Sequence, residues 1–212
     1  MVASIADQIA LVRKELESRP AGLVRHIERV VAEAQTLAPY WGVDPERCAL
    51  AAWGHDLFRA LPAGEQLAMA ESVGLVLDDA DREAPVLLHG PTAAVVLRER
   101  LGIHDEEVLA AVRDHTLGRP EMSMVAKIIL LADKIEPNKR SKRPEMKEIR
   151  RLARRDIDLA LLCWSDWSWA DGAEHGWGLH QQHWQARRSW VAEHHETLST
   201  TTGAELGTTE DD

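Results

Sequence analysis

Apolar residues in this chain recur three and four positions apart, and over no useful length do they alternate. Leu23, Val24, Ile27, Val30, Val31, Ala34 and Leu37 form one such stripe, and residues 124–135 are apolar nearly all round. That period belongs to helices and argues against half-buried strands, whose side chains repeat every two residues. Composition agrees, because Ala, Leu, Glu and Arg dominate while Phe and Tyr occur once each. The expected fold class is all-α, a helical bundle with a Trp-rich helical extension at its C-terminal end.

Capping residues punctuate the pattern. Asp44 followed by Pro45 opens a helix over 48–58, Asp105 one over 106–116, and Ser123 one over 124–135. An amphipathic helix fills the first twenty residues, and others are predicted over 65–73, 92–101, 145–153 and 157–164. Residues 138–144, with Lys139, Arg140, Lys142 and Arg143, read as an exposed basic loop. The 212 residues divide into a core over 1–162, a Trp- and His-rich helical cap over 163–198, and an acidic tail over 199–212 expected to be disordered. Trp177, Trp184 and Val191, seven apart, are the expected packing stripe of the cap.

A formal net charge of −10 argues against a broad nucleic-acid face, so no nucleic-acid partner is expected. Cys48 and Cys163 lack CxxC spacing and read as reduced thiols of a cytoplasmic protein. No apolar run approaches the roughly 20 residues that span a bilayer. The N-terminus lacks a signal-peptide pattern, and no membrane partner is expected.

The chemistry lies in four histidines and two aspartates. His26, His55, His89 and His115 each sit in or at the end of an apolar segment, as do Asp56 and Asp133. Asp133 closes the run Ile128-Ile129-Leu130-Leu131-Ala132, where a lone carboxylate is costly unless a cation meets it. The adjacent His55 and Asp56 can approach one metal from two sides, or the carboxylate can bridge two metals. Four imidazoles and two carboxylates suit iron, manganese or zinc better than calcium. Six protein ligands leave room on two ions for a hydroxide and a phosphate, which two-metal hydrolysis requires.

The order His, His-Asp, His, His, Asp resembles the HD-domain superfamily. The wording around it is similar to the bacterial YqeK-type branch, in His115-Thr116-Leu117-Gly118-Arg119-Pro120-Glu121-Met122-Ser123 and in Ala132-Asp133-Lys134-Ile135-Glu136-Pro137. The likeness covers residues 23–162. It implies an all-α symmetrical bis(5′-nucleosyl)-tetraphosphatase with a di-iron centre, splitting diadenosine tetraphosphate into two ADP. It further implies that His26, His55, Asp56 and Asp133 hold one metal and that Asp56, His89 and His115 hold the second. Leu23 stands where the branch carries Arg, and Arg25 lies beside His26 instead. Arg59 stands where Lys commonly follows the HD pair, and its forked guanidinium suits a phosphate. Asp56 and Arg59 are thus the catalytic candidates, with Arg59, Arg119, Lys134 and Arg25 as substrate contacts. Arg119 reads equally as a turn residue, and Lys134 as a solvated one. A homodimer is compatible with this reading.

Other functions use the same six ligands: a 5′-nucleotidase, a guanosine polyphosphate hydrolase, or a di-iron oxygenase on the same scaffold. The Trp-rich end could stack on an adenine ring, although packing over the bundle is the simpler role. His180, His183, His194 and His195 lack the carboxylate or Cys pattern of a second metal site.

Overall fold

The helix α8 (Met124–Ile135) is buried on almost every side, from Val125 through Asp133 and at Ile135, because several other helices pack around it. Ser123 starts it by accepting from the Ala126 N–H, as its sequence position predicts. The computed structural model describes residues 3–178 and 180–206, the stretch 197–206 by backbone alone.

Before α8 come α1 (Ile5–Leu16), α2 (Ala21–Leu37), α3 (Pro45–Gly54), α4 (Ala63–Ser72), α5 (Asp79–Glu83), α6 (His89–Glu99) and α7 (Glu106–Asp114). Short 3₁₀ turns at Ala38–Trp41 and Pro85–Leu88 precede α3 and α6. After α8 come α9 (Pro137–Lys142), α10 (Glu145–Leu152), α11 (Ile157–Glu174) and α12 (Gln181–Leu206). Among the described residues there is no strand, so the fold is all-α as expected. No helix is long and apolar enough to cross a membrane among them.

The inner face of the bundle is formed by α2, α3, α7 and α8, with α3 and α8 each touching the other three and α6 packed against α7. Their buried stripes follow the sequence period: Ile27, Val30, Ala34 and Leu37 on α2, and Val108, Ala111 and Val112 on α7. Fully burying a Leu or Ile of this kind contributes about 1.5–3 kcal/mol. Buried charges tie the outer helices on. Lys127 of α8 reaches Asp158 of α11 at 2.6 Å and Glu193 of α12 at 3.2 Å, and Glu33 of α2 receives Arg150 of α10 at 2.5 Å. Cys48 and Cys163 are both free thiols.

Several boundaries differ from the sequence pattern, each for a local reason. The helix expected to reach residue 58 ends at Gly54, so His55 and Asp56 lie in the following turn. Pro91 does not open α6. The helix begins at His89, continuing from the 3₁₀ turn. The expected basic loop is instead the short helix α9, begun by Pro137 with the Glu136 side chain accepting from the Asn138 N–H. The expected stripe on the cap faces outward, with Trp177 63%, Trp184 38% and Val191 43% exposed. Trp177 precedes α12, whose packing row is His183, Ala186 and Trp190. The tail expected from residue 199 starts inside α12, and residues 207–212 lie outside the described residues.

Candidate metal centre

Three of the four histidines are placed by one device. His55 and His115 follow the last residue of α3 and α7, and His89 follows a 3₁₀ turn. Each ring turns its Nδ1 to the carbonyl three residues earlier: His55 to Ala52 at 2.7 Å, His115 to Val112 at 2.8 Å, and His89 to Val86. Helix ends leave carbonyls without partners, and an imidazole N–H satisfies one. A carbonyl only accepts, so Nδ1 carries the proton and Nε2 of each neutral ring is left as a lone pair.

Those lone pairs converge. His89 Nε2 and His115 Nε2 stand 3.0 Å apart, and buried His55 Nε2 has no hydrogen-bond partner. With the rings neutral, two facing acceptors and one orphaned acceptor are unfavourable by themselves, and a shared cation relieves all three. The close approach needs Gly90. A Cβ there would meet the Val112 and Arg113 carbonyl oxygens at 2.9 Å and His115 Cε1 at 3.2 Å.

Asp56 lies at the centre with its two oxygens divided. Oδ1 is 3.0 Å from His89 Nε2 and 3.5 Å from His115 Nε2. Oδ2 is 3.5 Å from His26 Nε2 and 3.6 Å from His55 Nε2. Asp133 Oδ1 closes the second side at 3.1 Å from His26 Nε2. Three overlapping groups have ligand atoms within 4.8 Å of one another: His26, His55 and Asp56; Asp56, His89 and His115; and His55, His115 and Asp133. All six residues singled out in the sequence meet here, with donors suited to two divalent first-row metals.

Burial pushes the His55 imidazole down to about 4 and lowers His115 also, so both stay neutral and ready to ligate. Burial works against the Asp56 carboxylate, but His55, His115 and His89 favour its charged form whenever one of them carries a proton on Nε2, and the group lies well below its ordinary value. Burial of Asp133 is likewise outweighed, by Lys134, Lys139 and His26.

The substrate candidates are placed less uniformly. Arg59 continues the turn after Asp56, its N–H donating to the Asp56 carbonyl at 3.0 Å, with its side chain exposed. Arg25 is also exposed and lines a cleft of about 560 Å³ with Arg13, Lys14, Arg19 and Trp53, apart from the six-ligand cluster. Arg119 is turned to Asp114 at 3.1 Å, the turn-holding arrangement. Lys134 is not solvated. Its Nζ lies 2.7 Å from Asp133 Oδ2 and 5.5 Å over the Trp164 ring. Burial lowers the pKa of this ammonium.

Sequence reasoning missed three groups. Lys139 of the basic segment reaches Asp133 Oδ1 at 2.6 Å. Glu136, 1% exposed, lies 3.5 Å from His26 Nδ1 and accepts from Arg29 Nε at 2.6 Å. A carboxylate on the far nitrogen fixes a ligating imidazole's orientation, a role hidden because Glu136 reads as a charged residue before a proline. Arg29, one turn after His26, carries no signal of its own. His183, by contrast, is fully engaged by Leu117 O and Ser165 Oγ, each at 2.9 Å, and serves packing.

The HD-domain family pattern matches residues 23–138, which contain all six of the convergent side chains.

The chain belongs to the HD-domain family.

Over 138 residues it is 38% identical to the symmetrical bis(5′-nucleosyl)-tetraphosphatase of Halalkalibacterium halodurans, spanning 65% of this chain and 72% of that one. The protein of the same name from Bacillus subtilis is 36% identical over 139 residues, again 65% and 72%. A solved HD superfamily hydrolase from Clostridium acetobutylicum, described as involved in NAD metabolism, superposes with a TM-score of 0.79 at 30% identity. That likeness covers 91% of this chain and all of the other. It therefore extends well beyond the HD domain itself. The chain is thus an HD-domain hydrolase of the symmetrical tetraphosphatase branch, and an HD domain binds divalent metal.

Proposed function

We propose that this HD domain hydrolyses diadenosine tetraphosphate symmetrically, water adding at an inner phosphorus and two ADP leaving. The observation that carries the reading is Asp56. One of its oxygens faces His89 and His115, the other His26 and His55, which is the disposition of a carboxylate shared by two ions. The likeness to named tetraphosphatases supports the choice of substrate.

His26, His55, Asp56 and Asp133 would hold one ion, and Asp56, His89 and His115 the other, iron being favoured with manganese and zinc as alternatives. When bound, the ions supply activation of a water and neutralisation of charge on the phosphoryl oxygens. The protein's own contribution is orientation. The Ala52, Val86 and Val112 carbonyls fix three rings in the tautomer that presents Nε2, and the Glu136 carboxylate stands 3.5 Å behind His26 on its Nδ1 side. Lys134 and Lys139 crowd Asp133 and place positive charge at the rim of the centre, where a polyphosphate must arrive. Arg59, free of ion pairs among the described residues and next to the HD turn, is the phosphate clamp in this scheme.

The test is metal analysis of protein purified without added metal, followed by product analysis on diadenosine tetraphosphate. Two ADP and two transition-metal ions per chain support the assignment. AMP with ATP, or a rate indifferent to chelation, rejects it. NAD serves as the comparison substrate.

A further inference from the structure

The net charge of −10 conceals a local excess of the opposite sign. Residues 139–155 hold nine of the 25 Lys and Arg residues and two carboxylates. Folding gathers six of the nine on one side, while Lys139 turns to Asp133 and Arg143 to Asp171. Met146, Ile149 and Ala153 turn inward, which leaves Lys147, Arg150, Arg151, Arg154 and Arg155 on the outer face of α10 and its end. At 1.5 Å per residue this row is about 12 Å long. Two adjoining hollows of about 440 and 350 Å³ share Lys147 and Arg150. Arg140 completes the first, and Tyr40 lines the second. No carboxylate lines either one.

These cations are only partly neutralised. Glu33 meets Arg150 at 2.5 Å and Arg140 at 3.5 Å, and Glu148 meets Arg151 at 2.5 Å. Lys147, Arg154 and Arg155 make no ion pair among the described residues, and Arg154 Nε is buried without a hydrogen-bond partner. Like charges held together without counter-charge are unfavourable until an anion arrives. Tyr40 adds a different kind of contact. Its ring is 55% exposed, with the Arg154 guanidinium carbon 5.5 Å away. Trp41 Nε1 donates to the Ala153 carbonyl at 2.8 Å, which fastens the turn bearing Tyr40 to the end of α10.

We propose that this groove binds a single-stranded nucleic-acid segment a few nucleotides long, its phosphates along the α10 cations and a base against Tyr40. A nucleoside mono- or diphosphate would occupy one hollow, whereas the cations here extend across two. A flat anionic bilayer would not enter a concave surface. The groove shares no residue with the metal centre, so the proposal stands independently of the hydrolytic reading.

The experiment is fluorescence anisotropy of labelled single strands of about twelve nucleotides, RNA and DNA separately, with the metal-loaded full chain. Three unpaired cations predict a log–log salt slope of about −2, so binding weakens roughly 16-fold between about 50 and 200 mM salt. Lys147→Glu with Arg155→Glu, both exposed, should weaken binding at least tenfold and leave tetraphosphate hydrolysis unchanged. Tyr40→Ala should weaken it about tenfold. Reversal of the remote cations Arg82 and Arg98 should change nothing. RNA and DNA both bear the phosphodiester strand, and preference for either supports the proposal. Absence of binding at about 10⁻⁴ M protein overturns it. So does binding untouched by the α10 pair, or displacement by equimolar inorganic tripolyphosphate, which marks a small-anion site.

Discussion

Trp190 lies across Gly118 so closely that a Cβ on Gly118 would fall 2.4 Å from Trp190 Cζ2 and 2.6 Å from Cη2. Gly118 has a φ of +73° and ends the turn that follows His115. The C-terminal extension is therefore seated on the same turn that carries a ligand candidate. Gln182 reinforces it by donating to the Gly118 carbonyl at 2.7 Å.

Gly118→Ala faces two penalties, a left-handed backbone and the indole. A loss of about 2–4 kcal/mol in urea unfolding is expected. Trp190→Ala alone should cost about 3–5 kcal/mol through the cavity it leaves. In the double variant the clash is gone, so Gly118→Ala should then cost only about 1–2 kcal/mol. Strict additivity of the two losses would show that the ring does not press on this turn.

Asp56→Asn should lose both metal ions by elemental analysis and reduce hydrolysis at least a hundredfold, since its two oxygens face different histidine pairs. Far-UV dichroism should be unchanged. Retention of two ions and a normal rate would remove Asp56 from the centre.

Chelation of the wild-type protein should lower its melting temperature, because ions bound to the folded state alone stabilise it by mass action. About 2.7 kcal/mol is lost if the metal had been present at a hundred times its Kd. An identical melting curve with and without chelator would contradict a loaded site.

Glu136→Gln removes the charge behind His26 while keeping its shape. Metal affinity should fall roughly 10- to 100-fold, and hydrolysis measured with saturating metal should largely recover. A loss of rate that excess metal does not restore would assign Glu136 another role.

Arg47 grips Asp105 with two bonds, at 2.8 and 2.7 Å, and this holds the carboxylate below its ordinary value against the opposing effect of burial. A depressed folded pKa contributes stability that is complete above the unfolded value of about 3.9. It disappears as pH falls through the folded value. Asp105→Asn keeps an oxygen for the α7 cap but loses the charge, so it should cost about 1 kcal/mol at neutral pH. The difference from wild type should vanish in strong acid. A gap that persists unchanged at low pH would rule out the ion pair as its source.

The sequence by itself determined the all-α class, the caps at Asp44, Asp105 and Ser123, and the identity of the six ligand candidates. Those features were legible because caps and helical periods act within a turn of chain, and because carboxylates in apolar runs demand a partner. Tertiary structure alone decided the rest. His26 and Glu136 are brought together by the packing of α2 against α8, and no local pattern encodes that meeting. The same packing turned the expected stripe of Trp177, Trp184 and Val191 outward and put Trp190 inward, since which face of a helix is buried depends on what lies beside it. It also drew six of the nine basic residues of 139–155 onto one surface, a separation of charge that a net total cannot express.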